Sequence, residues 1–334
     1  MKISRAVTFR ASSIGDCLMA KYLMENVHVA FPNVSCCVVV AGRIGMIRDL
    51  FEAYPWIEVI EANRRDPCSV LRLFKKYRRS DLVVTQYAGK KGGKFSLLSK
   101  IMARFLSKSG GFVGFEDVSA WNRVLFDVKL DVNPNMAVVW HEREVLRAVG
   151  APISIGRPTL SFTKDKSVLS RFSLIPGQYI VVHLFAGGAG RGLHPDKKKE
   201  LIAKLAAKNP DLKLVISGGK DDKEEAVRVS EGISALVVAG LTSLQELINL
   251  ISESRCVISV DTGVAHITAH LGKKLSVIRT CLAPNWWFAD QYGADARIAV
   301  HSHDASCADG HIFEDYPTCI NSVDLEDVVI SMLQ

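Results

Sequence analysis

The sequence lacks the features that would place a chain across a membrane or in an oxidising compartment. None of its apolar runs reaches the roughly 18 residues that a bilayer-spanning helix needs, so we predict no transmembrane segment. Residues 1–9 are too short and too soon charged for a secretion signal, and we expect a cytoplasmic protein. Eight cysteines without a Cys-x-x-Cys pair predict neither a disulfide framework nor a zinc site.

Two common nucleotide-binding loops are also missing. The glycine-rich stretch at 185–195 has neither the Gly-x-Gly-x-x-Gly spacing of dinucleotide folds nor the Gly-Lys-Ser/Thr ending of a Walker A loop. Its four glycines and Arg191 do precede a helix that begins with Pro195, which would allow the backbone to approach a phosphate closely. A flexible connection explains the same glycines, so this stretch alone does not decide between the two.

The length and the pattern of the chain predict two domains. A chain of 334 residues, 48% hydrophobic and 23% charged, is globular and too long for most single cores. Two series of alternating strands and helices are separated by the proline-containing stretch 151–178, which predicts two doubly wound parallel-sheet α/β domains with a cleft between them. We expect them to cover residues 1–155 and 156–334. The amphipathic helix predicted over 324–333 could pack back on the first domain.

Positive charge is concentrated in the first half of the chain. The net charge is +7, but residues 1–150 carry 23 basic and 14 acidic residues, whereas the remainder carries 19 and 21. The surplus is densest over 64–108, where 13 basic residues face only Asp66 and Asp81. A solvated helix face is one explanation, but a cluster this dense favours an anionic partner: acidic lipid, phosphorylated glycan or nucleic acid.

Loops after predicted strands hold the candidate chemistry, because ligands bind at the carboxyl ends of strands in open α/β sheets. The predicted strand 256–260 runs into Asp261-Thr262-Gly263 and then into a helix. Uncapped N–H groups and the positive end of the helix dipole suit a phosphate there, although capping by Asp261 or Thr262 explains the same residues. His266, in the first turn, is either a ligand contact or a packed histidine.

Two further loops follow the same rule. The first predicted strand ends in Arg10-Ala-Ser-Ser-Ile-Gly-Asp16, where Asp16 could cap the next helix or act as a general base. The strand predicted over 212–217 ends in Ser217-Gly-Gly-Lys-Asp-Asp222, whose acidic residues could cap a helix or hold a ribose.

Taken together, these motifs resemble glycosyltransferase family 9, the lipopolysaccharide heptosyltransferases. Residues 10–16 match the family's start, R-x-S-S-x-G-D. Residues 261–272, Asp-Thr-Gly-Val-Ala-His followed by Ile-Thr-Ala-His-Leu-Gly, resemble its D-T-G-x-x-H-x-x-A-x-x-G signature. Leu-Thr-Ser-Leu at 241–244, and Gln86 with the lysines that follow it, also fit.

The resemblance implies a GT-B fold that binds its donor in the C-terminal domain and its acceptor mainly in the N-terminal one. It implies metal-independent, inverting transfer from a nucleotide-diphosphate sugar, with no cofactor and with Asp16 as the catalytic base. By motif position, the donor-binding residues would be Gly187, Gly188, Arg191, Asp222, Thr242, Asp261, Thr262, Gly263 and His266. The acceptor-binding residues would be Arg10, Ser12, Ser13, Lys90, Lys91 and Lys94.

One departure from the family concerns the donor. Many members carry a Lys two residues before a Trp-Pro in the glycine-rich loop, whereas Gly192-Leu-His-Pro195 lacks both, so Arg191 is the nearest cation to replace it. We expect an ADP-linked heptose or related hexose as the donor. The expected acceptor is lipopolysaccharide or another anionic cell-surface glycan or glycolipid, met by peripheral contact with the anionic inner face of the plasma membrane, and not nucleic acid.

Two other functions remain open. A nucleotide-sugar epimerase or hydrolase on the same fold would convert the donor without any acceptor. A non-catalytic module would use its basic face to dock nucleic acid, and it ranks last because residues 64–108 contain few interleaved aromatic side chains.

Overall fold

The structure is a computed structural model with an α/β architecture. It describes residues 2–42, 44–62, 66–87, 95–133, 135–187, 191–281, 287, 291–292, 297–303 and 316–333. The chain divides into an N-terminal unit, Met1–Pro158 with Asn285–Gln291, and a C-terminal unit, Thr159–Pro284 with Tyr292–Gln334. In these stretches, no helix is both long enough and apolar enough to cross a membrane.

The N-terminal unit contains a six-stranded parallel sheet in the order β3-β2-β1-β4-β5-β6. The chain therefore winds outward from β1 in one direction and then from β4 in the other, and Phe9 of β1 pairs with Thr85 of β4 where the direction reverses. The strands are β1 (Arg5–Phe9), β2 (Ser35–Val40), β3 (Ile57–Glu61), β4 (Leu82–Thr85), β5 (Phe112–Phe115) and β6 (Val128–Leu130). The helices are α1 (Ile14–Ala30), α2 (Ile44–Leu50), α3 (Pro67–Tyr77), α4 (Leu97–Leu106), α5 (Asn122–Leu125) and α6 (Val138–Ala148).

The central strands of this sheet are short, valine-rich runs because helices cover both of their faces. On one face, α3, α4 and α5 close a single apolar core over β1, β2, β4 and β5. The side chains that build this core are Val7, Val39, Leu73, Tyr77, Val83, Ala103, Leu106, Phe112 and Phe126, among others.

The C-terminal unit repeats the same winding with a second six-stranded parallel sheet, in the order β12-β11-β10-β7-β8-β9. The direction of winding reverses between β7 and β10. The strands are β7 (Tyr179–His183), β8 (Lys213–Ile216), β9 (Ala235–Val237), β10 (Cys256–Val260), β11 (Leu275–Ile278) and β12 (Ile298–His301). The helices are α7 (Ser167–Arg171), α8 (Pro195–Lys208), α9 (Lys223–Val229), α10 (Leu244–Glu253), α11 (Gly263–His270), α12 (Thr318–Asn321) and α13 (Leu325–Leu333).

The last helix belongs to the core of the C-terminal unit. Leu325, Val328 and Val329 of α13 are buried in the same apolar cluster as Leu201 and Leu205 of α8. From the sequence, residues 324–333 could have packed back on the N-terminal domain. The buried face of α13 packs within the C-terminal unit instead.

Three short edge elements differ from the sequence prediction. Helix α5 and strand β6, which lie between β5 and α6, and strand β12, which follows β11, were not predicted from the sequence. Strand β6 pairs with β5, and β12 pairs with β11, at the edges of their sheets. Segments of three or four residues carry too little periodicity to be recognised, because their pairing partners are distant in sequence.

Candidate active site

In each unit, two of the motif loops lie where the winding of the sheet reverses. The loop that begins at Arg10 follows β1 and Gln86 follows β4, and these two strands are neighbours in the N-terminal sheet. The loop that contains Arg191 follows β7 and Asp261 follows β10, and these strands are neighbours in the C-terminal sheet. Such reversal points are where open α/β sheets bind ligands, so each unit has a candidate half-site of its own.

Asp16 is not the capping residue of its helix, although capping was one of its predicted roles. Helix α1 begins at Ile14, and the hydroxyl of Ser13 accepts a hydrogen bond from the backbone N–H of Asp16 at 3.2 Å. Because Ser13 fills the N-cap position, Asp16 is the third residue of the helix. Its carboxylate is therefore directed to other side chains.

Among the described residues, the side chains of Ser13 and Gln86 hold the Asp16 carboxylate. The Ser13 hydroxyl donates to Asp16 Oδ2 at 2.5 Å, and Gln86 Nε2 donates to Asp16 Oδ1 at 2.6 Å. Gln86 Oε1 accepts the backbone N–H of Ala11 at 2.6 Å, which fixes which end of the amide faces Asp16. The result is a half-buried carboxylate oriented by groups from the ends of both strands, as a general base requires.

Arg10, which the sequence predicted to bind the acceptor, is instead committed to the interior of its unit. It is 3% exposed, and its guanidinium forms two hydrogen bonds to the buried Glu142 of α6, at 2.6 and 2.8 Å. Arg10 Nε also donates to Thr8 Oγ1 at 2.9 Å. The pairing fixes the end of β1 to α6, so Arg10 can support the Asp16 loop but is not proposed as an acceptor contact.

The other predicted acceptor residues have mixed positions. Ser12 is half-buried and Ser13 is exposed beside Asp16. Lys90, Lys91 and Lys94 lie outside the described residues. A cavity of about 400 Å³ opens at the carboxyl ends of β1, β2 and β3. Its lining includes Phe9, Arg10, Ala41, Ala62, Ser99 and Met102.

In the C-terminal unit, the turn after β10 presents the start of α11. Thr262 is the N-cap residue, but its side chain makes no capping hydrogen bond and its hydroxyl lies 3.3 Å from Ser259 Oγ instead. Thr262 and Gly263 are both partly exposed. The first N–H groups of α11 are thus left uncapped by Thr262, as an anion-binding helix start requires.

Asp261 and His266 form the buried side of this turn. They are 9% and 7% exposed, and His266 Nε2 lies 3.7 Å from Asp261 Oδ1. Burial lowers the pKa of His266 to about 4, the Asp261 carboxylate partly opposes this shift, and the Arg191 guanidinium adds to it. His266 is therefore neutral at neutral pH, and the exposed Arg191 lies close enough to His266 to lower its pKa.

A second buried histidine orders the loop after β8. His183, the last residue of β7, contacts Ser217 Oγ through Nδ1 at 3.1 Å, and burial lowers its pKa to about 4. Asp222 sits at the N-cap of α9 but accepts the backbone N–H of Gly219 at 2.7 Å rather than capping the helix. A Cβ on Gly218 would lie 2.9 Å from Asp222 Cβ, so only glycine fits this turn.

The remaining predicted donor residues lie on two other loops. Gly187 is exposed at the start of the glycine-rich loop, and Gly188 lies outside the described residues. Thr242 is partly exposed and precedes the capping box that Ser243 and Glu246 form at the start of α10. In the part of the chain that the structure describes, no group of three or more His, Cys, Asp or Glu side chains could hold a metal ion.

Comparison with known proteins identifies the family. The model of Glycosyltransferase family 9 (heptosyltransferase) matches residues 96–278, which is more than half of the chain. The chain belongs to glycosyltransferase family 9. The resemblance found in the sequence and the assignment as a glycosyltransferase are thereby confirmed. A search of curated proteins found no match.

Solved structures agree with the predicted fold. The chain is 16% identical to E. coli ADP-heptose lipopolysaccharide heptosyltransferase II, with a TM-score of 0.72 over 100% of this chain and 98% of that one. The chain is 17% identical to E. coli heptosyltransferase WaaC with ADP, with a TM-score of 0.67 over 98% of this chain and 99% of that one. It is 15% identical to the family 9 glycosyltransferase of Veillonella parvula DSM 2008, with a TM-score of 0.69 over 90% of this chain and 86% of that one. The predicted GT-B fold, with two Rossmann-like parallel-sheet units, is confirmed.

Three residues of this family 9 transferase gain roles that sequence reasoning did not assign. Gln86 orients Asp16, Glu142 neutralises Arg10, and His183 joins the ends of β7 and β8. Gln86 and His183 both stand at the carboxyl ends of strands, which is a usable signal. Glu142 lies in a helix 132 residues from Arg10 and offers none.

Proposed function

We propose that this chain transfers a sugar from an ADP-linked nucleotide sugar to a hydroxyl group of an anionic cell-surface glycan, with inversion at the anomeric carbon. The observation that carries the proposal is the orientation of Asp16. Its carboxylate is held by Gln86 and Ser13 at the reversal point of a family 9 glycosyltransferase, and it is not used to cap its helix. A carboxylate fixed in this way suits the removal of a proton from an acceptor hydroxyl.

In the proposed reaction, Asp16 takes the proton of the acceptor hydroxyl as its oxygen attacks the anomeric carbon. A new bond forms between that oxygen and the anomeric carbon. The bond from the anomeric carbon to the diphosphate oxygen breaks, and its electron pair leaves with the nucleoside diphosphate. A single displacement of this kind inverts the configuration at the anomeric carbon.

The charge that develops on the leaving diphosphate needs stabilisation, and the start of α11 supports that role. Thr262 and Gly263 would offer backbone N–H groups, and Arg191 would add a cation in place of the family Lys. Asp261 and the neutral His266 would shape this turn, since both are largely buried. We assign the ribose and base to the loops that contain Asp222, Thr242, Gly187 and Gly188.

The ADP-linked donor is supported by the names of two similar structures. One is an ADP-heptose heptosyltransferase and the other was determined with ADP. A heptose or a related hexose would then be the transferred sugar.

The acceptor side is supported by charge. The N-terminal half carries a basic surplus, 23 basic against 14 acidic residues in 1–150, which would attract a phosphorylated or acidic glycan. Ser12, Lys90, Lys91 and Lys94 remain the proposed acceptor contacts. A lipopolysaccharide precursor at the inner face of the plasma membrane would suit this charge, and it implies peripheral contact with an anionic membrane.

A thermal-shift screen against ADP-, UDP-, GDP- and CMP-sugars tests the donor. We expect only the ADP-sugar to raise the unfolding midpoint, because a ligand that binds the native state alone stabilises it. Arg191→Gln should shrink this shift, whereas Lys199→Gln, an exposed lysine of α8 in the same unit, should not. The donor assignment fails if no ADP-sugar stabilises the protein or if another nucleotide does so more strongly.

An incubation with and without acceptor tests the reaction type. We expect ADP release to require a lipopolysaccharide-derived acceptor and to yield a longer glycan. Conversion of the nucleotide sugar at the same rate without acceptor would identify an epimerase or hydrolase instead.

A further inference from the structure

The outer side of α4 and α5 exposes an unusual amount of apolar surface. Phe105 and Val124 are 71% and 74% exposed, and Val118 and Trp121 are 57% and 56% exposed. Of the fourteen large apolar side chains that are exposed in the described chain, seven lie between residues 71 and 124. Single exposed apolar side chains are ordinary, but a concentration of this kind marks an interaction site.

Of these seven, Leu97, Phe105, Val118, Trp121 and Val124 lie on α4, on α5 or in the segment just before α5. Leu97, Val118 and Trp121 line one groove of about 520 Å³. Leu97, Ile101 and Phe105 recur every four residues and therefore share one side of α4. We call this set the apolar surface; it consists of Leu97, Ile101, Phe105, Val118, Trp121 and Val124.

The two helices that carry the apolar surface are fixed to each other. The Arg104 guanidinium of α4 donates to the carbonyl oxygen of Leu125 at 3.3 Å and pairs with Asp127 at 2.8 Å. Phe105 and Val124, the chain neighbours of Arg104 and Leu125, are therefore held on adjoining stretches. The surface is a fixed feature of the unit.

The core beneath the apolar surface is already complete. Ala103 and Leu106 of α4 are fully buried against the sheet. Lys100, which was counted in the basic patch from the sequence, is also fully buried, with its Nζ 2.7 Å from both Asp117 Oδ2 and Asn122 Oδ1. The inner side of α4 is thus fully occupied. On its outer side, Ile101 packs partly against this core, whereas Leu97 and Phe105 are exposed.

Exposed positive charge lies on the same face of the N-terminal sheet as the apolar surface. The chain that follows Arg78 and Arg79 is bonded to the end of α4, because the Ser80 N–H donates to the Leu106 carbonyl oxygen at 2.8 Å. Helix α3 covers the same face of the sheet as α4, and its exposed side and end carry Lys75, Arg78 and Arg79. Arg123 is exposed on α5, between Trp121 and Val124 in the chain. Among the residues that the structure describes, none of these four cations forms an ion pair with a carboxylate.

Apolar side chains beside unpaired cations match the interface of an anionic bilayer. Each Lys or Arg near such a surface attracts acidic headgroups, while Trp and Phe are stable at the level of the headgroups. A single-stranded nucleic acid would call for aromatic stacking platforms, whereas the apolar surface is mostly aliphatic.

We propose that the apolar surface and its cations seat the chain on an anionic lipid bilayer, with Phe105, Trp121 and Val124 entering the headgroup region. The proposal rests on the proposed function, because a transferase that glycosylates a lipid-linked acceptor must work at that bilayer. Beyond that function, the proposal identifies which side of the N-terminal unit contacts the lipid.

Vesicle co-sedimentation of the full chain tests the surface. We expect binding to vesicles of phosphatidylcholine mixed with phosphatidylglycerol, weaker binding at high salt, and little binding to phosphatidylcholine alone. The double variant Phe105→Ser/Val124→Ser should weaken binding roughly tenfold or more. The control Ile175→Ser/Val227→Ser, which changes two exposed apolar residues of the C-terminal unit, should bind like the unmodified chain.

Two double variants that remove positive charges test the electrostatic contribution to vesicle binding separately. Lys75→Gln/Arg123→Gln should lower affinity for the anionic vesicles by about fivefold per charge. Lys199→Gln/Arg228→Gln, which removes two exposed cations of the C-terminal unit, should change it little.

Several results would overturn the proposal. The first is that the chain does not bind vesicles, or binds neutral and anionic vesicles equally. The second is that both N-terminal variants bind like the unmodified chain. The third is that the chain binds an RNA oligonucleotide more tightly than vesicles and that the N-terminal variants abolish this RNA binding. The ADP-sugar thermal shift is measured on the same samples. Lost vesicle binding with a retained shift refutes only the membrane surface, and the reverse result refutes only the donor assignment.

Discussion

The two units share one strand order but offer opposite chemistry at the point where it reverses. In the N-terminal unit, the loops after β1 and β4 present a carboxylate, Asp16, held by Gln86 and Ser13. In the C-terminal unit, the corresponding loops present the start of α11, where the side chain of the N-cap Thr262 makes no capping bond, and Arg191 is close to His266 in the same helix. The topology selects where a ligand can bind, and the residues there decide whether the site accepts a proton or an anion.

The units also differ in the polar groups they bury near these loops. The N-terminal unit buries charged pairs, Arg10 with Glu142 and Lys100 with Asp117. The C-terminal unit buries His183 and His266, whose pKa values burial lowers to about 4, and burial also lowers the pKa of His141 in the N-terminal unit. The first arrangement makes stability sensitive to the loss of one partner, and the second makes it sensitive to acid.

The largest expected effect on stability is in the N-terminal unit. Glu142→Gln should lower the free energy of unfolding by about 3–5 kcal/mol, because it leaves the buried Arg10 charge uncompensated. Denaturant titration measures this change. Glu144→Gln, which alters a surface pair with Arg147 on the same helix, should cost at most about 0.5 kcal/mol.

The double variant Arg10→Met/Glu142→Leu is the matched control. It removes both buried charges together and should recover much of the loss. A loss below about 1 kcal/mol for Glu142→Gln would show that the Arg10 charge is compensated by other groups.

Acid should act on the C-terminal unit through its histidines. The pKa of His266 is about 4 in the folded state and near its usual 6.5 when unfolded, so the unfolded chain binds more protons between these values. The stability contribution is complete above pH 6.5 and is lost as the pH falls toward 4. Between pH 6.5 and about pH 4.5, the unmodified chain should therefore lose roughly 2.5 kcal/mol more of its free energy of unfolding than the variant His266→Gln does. Equal pH slopes for the two proteins would contradict this.

The proposed binding of the donor diphosphate at the start of α11 can be tested by removing one N–H group. Gly263→Pro deletes a donor at the first position of α11, where proline is otherwise compatible with a helix, and should weaken ADP-sugar binding roughly tenfold. Gly263→Ala keeps the N–H and should bind nearly normally. Titration calorimetry compares the two variants, and equal weakening by both would point to a steric cause.

The smallest effects compare the same capping chemistry in the two units. Ser13→Ala and Ser243→Ala each remove an N-cap hydrogen bond and should each cost about 1 kcal/mol of stability. Only Ser13→Ala should also slow sugar transfer, because Ser13 holds Asp16. Equal turnover by the two variants would remove Ser13 from the positioning of the base.

Most of the architecture could be predicted from the sequence because the buried strands are continuous apolar runs. The motif loops followed from those strands, since ligands bind at strand ends. The exact start of α1 could not be predicted, because Ser12, Ser13 and Asp16 are all good capping residues. The Arg10–Glu142 pair and the burial of Lys100 depend on contacts that are distant in sequence or on which side of a helix faces the core.

The central claim is that Asp16 accepts the proton of the acceptor while a separate unit holds the leaving diphosphate. Asp16→Asn keeps the size of the side chain and removes the base. We expect the rate of sugar transfer to fall by about 10²- to 10⁴-fold, with the dissociation constant of the ADP-sugar unchanged. Near-normal transfer by this variant, or a loss of donor binding as large as the loss of rate, would contradict the account.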